Sequence, residues 1–132
     1  MKDVILLIGG IYGTLAVILG AFGAHALRRS FNDDQLRSFE TGVRYQMYHA
    51  IMIIICGIVF PFLDTGQTIA AWCFIIGIFL FSFSIYLLTW LSSRGKSMKV
   101  LGPVTPLGGL LLIAGWILFS IEIIQIAPYL TP

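Results

Sequence analysis

Two histidines, His25 and His49, stand at the edges of apolar stretches, with Glu40, Arg44 and Gln46 between them in the sequence. We call these five residues the inner polar cluster. An imidazole can shuttle protons or bind a metal ion near neutral pH, which makes this cluster the first candidate site. Two histidines without further suitable ligands make a poor zinc site, so no metal is expected here.

The inner polar cluster has two interpretations. Its imidazoles could hydrogen-bond locally and fix the joint between two helices, or the cluster could bind a ligand or a proton. A basic residue and two imidazoles near helix ends suit an anion, such as an anionic lipid headgroup, better than a cation. In that case Glu40 would orient Arg44 instead of contacting the ligand.

Glu122 is the one carboxylate inside an apolar stretch, and we treat it as a candidate outer polar site. Its side chain could snorkel to the interface, hydrogen-bond to Gln125, or handle an ion or a proton. Cys56 and Cys73 lack C-x-x-C spacing and are interpreted as small packing residues. The sequence contains no nucleophile–base pair, phosphate loop or metal motif, so neither a catalytic residue nor a cofactor is expected.

Four apolar blocks must position these polar groups, and they cover residues 4–24, 47–63, 68–91 and 107–127. About 20 helical residues cross the roughly 30 Å hydrocarbon core, and the second block is near the lower limit of about 17. Only 11% of the 132 residues are charged, against about 25% in a soluble domain. These blocks predict an all-α, four-helix transmembrane bundle that forms a single membrane domain over residues 1–132.

The segment 32–46, between the first two blocks, has the pattern of an amphipathic helix. Its apolar residues recur at three- and four-residue spacing: Leu36, Phe39, Val43 and Met47. The polar side predicts the ion pairs Asp33–Arg37 and Glu40–Arg44. We expect a short amphipathic helix at the membrane interface, and the variant is one long helix that continues into the second span.

Small residues form one face of the first block, where side chains at three- and four-residue spacing lie together: Gly9, Gly13, Ala16, Gly20 and Gly23. Helices in a membrane gain from close van der Waals approach, which small residues permit. This face could pack against another helix of the same chain or against a second copy of the chain.

Three stretches of the sequence together resemble one known family: GAFGAHAL at 20–27, FETGVRYQMYHA at 39–50, and LGPVTPLGG at 101–109 followed by Gly115-Trp116. The family is called domain of unknown function 423, and the animal transmembrane protein 256 is similar to it. The resemblance covers essentially the whole chain and implies a bacterial four-span protein of the inner or plasma membrane. It implies no reaction, although the family motifs include His25, Phe39, Glu40, Arg44 and His49.

The main functional hypothesis is a non-enzymatic membrane bundle that self-associates or binds lipid. The first alternative is an oligomeric small transporter or channel for an ion or small solute, with Arg44 and the two histidines inside and Glu122 outside. The second alternative is a membrane enzyme or cofactor carrier, which the absence of a second carboxylate beside Glu40 argues against. Expected partners are the lipid bilayer, an anionic lipid and a second copy, but the net charge of +2 is too small to indicate nucleic-acid binding.

The basic residues predict the orientation in the cell membrane, because short loops rich in lysine and arginine stay in the cytoplasm. Seven of them lie in the loops 25–46 and 92–106: Arg28, Arg29, Arg37, Arg44, Arg94, Lys96 and Lys99. Both loops are therefore predicted to be cytoplasmic, and both termini to lie outside.

Cysteine labelling of intact cells with an impermeant reagent tests this orientation. A cysteine placed at Thr65 should be modified and one placed at Ser97 should be spared, because only the first lies in a loop without basic residues. The opposite labelling pattern would overturn the predicted topology.

Overall fold

The computed structural model describes residues 1–96 and 98–129, so Ser97 and residues 130–132 lie outside the description. The described part is mostly helical and contains no strand, which confirms the all-α prediction. Four helical runs are long and apolar enough to cross a membrane. The third of these runs is made of two α-helices joined by a π-helical turn. The elements are α1 (Lys2–His25), α2 (Asp33–Val59), α3 (Thr65–Ile78), the π turn (Phe79–Phe83), α4 (Ser84–Ser93) and α5 (Val104–Ile126), with 3₁₀ turns at Leu27–Arg29, Lys99–Leu101 and Ala127–Tyr129.

The helix α2 joins the amphipathic segment to the second span without a break. Its start is fixed by a capping box, in which Asn32 Oδ1 accepts from Gln35 N at 2.9 Å and Gln35 Oε1 accepts from Asn32 N at 3.0 Å. No proline interrupts the sequence before Pro61, and the helix ends two residues ahead of it. One long helix therefore replaces the separate interfacial helix.

Consecutive spans run antiparallel, as the contacts between them show. Leu6 near the start of α1 lies against Gly57 near the end of α2, and Glu122 near the end of α5 lies against Gly66 at the start of α3. The connection 26–32 and the described residues of the connection between α4 and α5 (94–96 and 98–103) therefore lie at one end of the bundle, which we call the basic end. The turn 60–64 lies at the other end, which we call the turn end.

The bundle consists of two helix pairs that share a central contact. The helix α1 packs along α2, α5 packs along α3, and the pairs meet where α2 faces the third span. The buried core lies between them: Ile5, Ile53, Cys56, Phe60, Phe74, Ile78 and Leu112. The outer faces of α1 and α5 carry exposed apolar side chains, as expected for helices that face lipid.

The π turn lies where the third span meets both neighbouring helices. Ser82 is fully buried in this turn and its hydroxyl donates to the backbone oxygen of Gly42 in α2 at 2.8 Å. Just beyond the turn, the hydroxyls of Ser84 and Thr105 lie 2.6 Å apart and connect α4 to the first turn of α5. Single π turns within α-helices often accompany functional positions, and here the turn directs a buried hydroxyl to a neighbouring helix.

Backbones approach most closely where Gly108 of α5 meets the π turn. A Cβ atom added at Gly108 would collide with the backbone nitrogen of Phe81 and lie 2.8 Å from the carbonyl oxygen of Gly77. Backbone atoms cannot move aside as a flexible side chain can, so this contact requires glycine. The neighbouring Gly109 has ordinary room, since its added Cβ would lie 3.8 Å from the Phe81 ring.

We predict that Gly108→Ala destabilises the bundle by about 1–3 kcal/mol, because the added methyl group forces α5 away from the third span. The matched control is Gly109→Ala, which should be neutral or stabilising by up to about 1 kcal/mol because alanine favours helix. Thermal or denaturant unfolding in detergent measures both variants. Equal stability of the two would contradict the close backbone contact.

Candidate functional site

The small-residue face of α1 lies against α2, which supports packing within one chain over packing between copies. A Cβ atom added at Gly9 would lie 2.7 Å from Ile54 Cγ1 and 3.2 Å from the carbonyl oxygen of Ala50. At Gly23 it would lie 2.8 Å from the ring of Phe39. The other members of the face also point to α2 or are buried: Gly13, Ala16 and Gly20.

This face widens into a cleft between α1 and α2 near the basic end. The cleft has a volume of about 180 Å³ and is lined by Gly20, Gly23, Phe39, Glu40, Val43 and Arg44. The two glycines of α1 pack against the apolar side chains of Phe39 and Val43 on α2, while the charged side chains stand exposed on α2. We call this the α1–α2 cleft. It combines an apolar wall with one cation and one anion.

Arg44 and Glu40 do not form the ion pair that the sequence predicts. Arg44 donates instead to the hydroxyl of Thr41 at 3.4 Å, and in the described part of the chain no carboxylate lies within 4 Å of its guanidinium. The other predicted pair is also wrong, because Arg37 binds Asp34 at 2.6 Å and not Asp33. Long side chains on an exposed helix face can reach partners three or four residues away with nearly equal free energy. Residue spacing alone therefore could not assign either pair correctly.

His25 lies outside the cleft lining. Its side chain is exposed, and its Nδ1 lies 3.2 Å from the carbonyl oxygen of Ala21, one turn earlier in α1. The sequence groups His25 with Arg44 in the inner polar cluster, but no hydrogen bond joins these two side chains among the described residues.

Gln46 points away from the cleft into the interior of the bundle, where it is fully buried. Its Nε2 donates to the backbone oxygen of Tyr12 in α1 at 2.9 Å, and its Oε1 accepts from the hydroxyl of Tyr86 in α4 at 2.8 Å. Tyr12 in turn donates its hydroxyl to the backbone oxygen of Ile75 at 3.2 Å. The two hydrogen bonds of the Gln46 amide thus connect three spans: α2 itself, α1 and the third span.

His49 is also buried in the interior, on the side of α2 that faces α5. Its Nε2 accepts from the indole N–H of Trp116 at 3.2 Å, and its Nδ1 lies 2.8 Å from the backbone oxygen of Tyr45. A carbonyl only accepts and an indole N–H only donates, so these partners assign the proton to Nδ1 of a neutral imidazole. The rings of Phe74 and Trp116 pack around it.

The five members of the inner polar cluster are therefore separated into two pairs and one isolated residue. Arg44 and Glu40 share the α1–α2 cleft, and Gln46 and His49 serve the interior, while His25 stands apart. The sequence did not identify the partners that the interior pair finds on other helices: Tyr12, Tyr86 and Trp116. The sequence does show that these polar side chains lie inside apolar blocks. Because polar atoms at membrane depth need hydrogen-bond partners, this position indicates that they bond to neighbouring helices.

Glu122 lies at the turn end and is turned into the bundle, with 6% of its surface exposed. Its carboxylate does not snorkel outward, and no hydrogen bond to Gln125 is present. It lies instead against Gly66 in the first turn of α3. Among the described residues its Oε2 atom has no hydrogen-bond partner.

Residues 19–109 match the family model described as Protein of unknown function (DUF423), a range that contains all six residues of the cleft. The chain belongs to this family. The resemblance found in the sequence is thereby confirmed, and the family supplies no reaction for the cleft. No solved structure matches the chain.

Relatives of this DUF423 chain are named membrane proteins, in agreement with the four apolar helices. The UPF0382 membrane protein YwdK of Bacillus subtilis is 37% identical, over 92% of this chain and 97% of the relative. The UPF0382 membrane protein SAB0533 of Staphylococcus aureus is 36% identical, over 92% and 96%. The UPF0382 membrane protein SH2409 of Staphylococcus haemolyticus is 36% identical, over 89% and 92%.

The hydrogen bond from Tyr86 to Gln46 predicts a loss of stability in Tyr86→Phe. Removing the hydroxyl leaves the buried Gln46 Oε1 without a donor, which should cost about 0.6–2 kcal/mol. The control is Tyr48→Phe, since the Tyr48 side chain is exposed. Unfolding in detergent measures both variants, and an equal effect would contradict a stabilising role for the buried network.

Proposed function

We propose that this protein is a non-enzymatic helical bundle of the cell membrane that binds an anionic lipid in the α1–α2 cleft. The observation that carries the proposal is the guanidinium of Arg44, which stands exposed at the cleft without a carboxylate within 4 Å among the described residues. An exposed guanidinium without a carboxylate partner can bind a phosphate group.

The chemistry of Arg44 favours a phosphate over a simple counterion. Its planar guanidinium presents paired N–H donors that match two phosphate oxygens, and such charge-assisted hydrogen bonds are about twice as strong as neutral ones. Anionic lipids also attract each basic residue near the membrane surface by about 1 kcal/mol. Thr41 binds Arg44 weakly at 3.4 Å and can direct the side chain without neutralising it.

The shape of the cleft fits part of a lipid. Its volume of about 180 Å³ is below the roughly 300–1,000 Å³ of pockets that enclose a drug-sized ligand. Phe39 and Val43 pack against Gly23 and Gly20, and together they offer an apolar surface on which the glycerol region would lie. The acyl chains would remain in the bilayer along the exposed apolar face of α1, which supports a site for lipid over a site for a soluble solute.

The position of the cleft agrees with this function. Arg44 lies just before the apolar part of α2, at the level where headgroups meet the hydrocarbon. The basic end carries the arginines and lysines of both connections and is proposed to face the cytoplasm, where anionic lipids concentrate.

We predict that Arg44→Gln reduces retained anionic lipid about tenfold, because it removes a charge-assisted hydrogen bond worth about 1.5 kcal/mol or more. Native mass spectrometry of protein purified from phosphatidylglycerol-containing membranes measures the bound lipid. Arg37→Gln is the matched control, since Arg37 is already paired with Asp34 and lies outside the cleft.

A second pair of variants tests whether the shape of the cleft contributes to lipid binding in addition to the charge of Arg44. Gly20→Leu should also lower lipid retention by filling the cleft, whereas Gly10→Leu adds a side chain where no atom lies within 4 Å of the new Cβ. Normal lipid retention in folded Arg44→Gln would overturn the proposal, and so would an equal loss in Arg37→Gln.

A further inference from the structure

Glu122 carries a buried carboxylate at the turn end, far along the bundle from the α1–α2 cleft. The residue is 6% exposed, and among the described residues its fully buried Oε2 atom finds no hydrogen-bond donor. A buried carboxylate is expensive unless a cation or hydrogen-bond donors compensate it. The structure therefore shows an acceptor atom for which a ligand would be the natural partner.

A second carboxylate lies at the same point of the fold. Asp64 precedes α3, and its Oδ1 accepts from Gly66 N at 2.6 Å. A Cβ atom built on Gly66 would lie 3.2 Å from Asp64 Oδ1 and 2.8 Å from the carboxyl carbon of Glu122. Two carboxylates thus flank one glycine, and the absence of a side chain on Gly66 leaves the space that Glu122 enters.

No basic group of the described chain neutralises these carboxylates, since no ammonium or guanidinium lies within 4 Å of either one. Lys2 lines a cavity of about 460 Å³ together with Gln67, Ile126 and Tyr129, and neither Glu122 nor Asp64 lines that cavity. The Oε1 atom of Gln67 is occupied, because it accepts from Phe62 N at 2.8 Å.

We propose that Glu122 and Asp64 bind a hard divalent cation, Ca²⁺ or Mg²⁺, at the turn end of the bundle. Both ions prefer oxygen ligands, and two ionised carboxylates balance their charge. The described residues bring no third acidic, histidine or cysteine side chain to the site, so backbone carbonyls and water would complete the coordination.

Two features predict that the site binds a divalent cation weakly. Only two side chains supply charge, and the positive end of the α3 dipole opposes a cation. Dissociation constants of about 10⁻⁴–10⁻³ M are typical of extracellular calcium modules and are what we expect here. The bound ion would hold the start of α3 against the end of α5 and so close the bundle at this end.

Thermal unfolding of the full chain in detergent tests the site, with CaCl₂ or MgCl₂ compared with NaCl at equal ionic strength. We expect saturating divalent cation to raise the Tm of the wild-type protein by about 3–6 °C. Glu122→Gln keeps the side-chain volume but should abolish this shift. Asp64→Asn keeps an acceptor for Gly66 N and should reduce the shift, while Asp3→Asn should leave it unchanged because Asp3 is exposed on α1.

The outcomes separate the alternatives. A divalent shift that is absent from the wild type, retained in Glu122→Gln or lost equally in Asp3→Asn would overturn the proposal. A shift that appears only in Lys2→Met would also overturn it, because the ammonium of Lys2 would then be the partner of Glu122. The lipid measurements on Arg44 are unaffected by these results, since the two sites lie at opposite ends.

Discussion

The amide of Gln46 is the interaction around which the bundle is organised. It is fully buried, and one of its ends binds α1 while the other binds α4. In hydrocarbon an unpaired amide is costly, so both helices must be in place for both ends of the amide to be paired. His49, one turn further along α2, adds the bond to Trp116 of α5. One helix thereby fixes the positions of all the others.

Close backbone approach makes these hydrogen bonds possible. Lipid tails are as apolar as the helix surfaces, so the hydrophobic effect does not drive helices together inside a membrane. Packing depends instead on small residues that bring backbones close together. Glycines serve this purpose on both sides of the core, with Gly9 of α1 against α2 and Gly108 of α5 against the π turn. Because both contacts are used within the chain, neither of these surfaces is left for a second copy.

The two ends of the bundle differ in charge, and each presents a different chemistry. At the basic end Arg44 stands beside a cleft with an apolar wall, which suits an anionic headgroup. At the turn end Glu122 and Asp64 both lie against Gly66, where we propose that a cation binds. The interior between them pairs the polar atoms of Gln46 and His49 with neighbouring helices, so these residues stabilise the bundle and the ends carry the candidate sites.

The sequence by itself determined the four spans, the family and the polar residues of interest, because hydropathy, proline positions and motifs are local properties. It also predicted close packing of the small-residue face of α1, but only the structure names α2 as the helix that lies against this face. Only the tertiary structure separated Gln46 and His49 from Arg44, since the side of α2 that each residue faces depends on where α1 and α5 pack. The surroundings of Glu122 were also decided by the tertiary structure. Gly66 is far from Glu122 in sequence, and the antiparallel packing of α3 and α5 brings the two residues into contact.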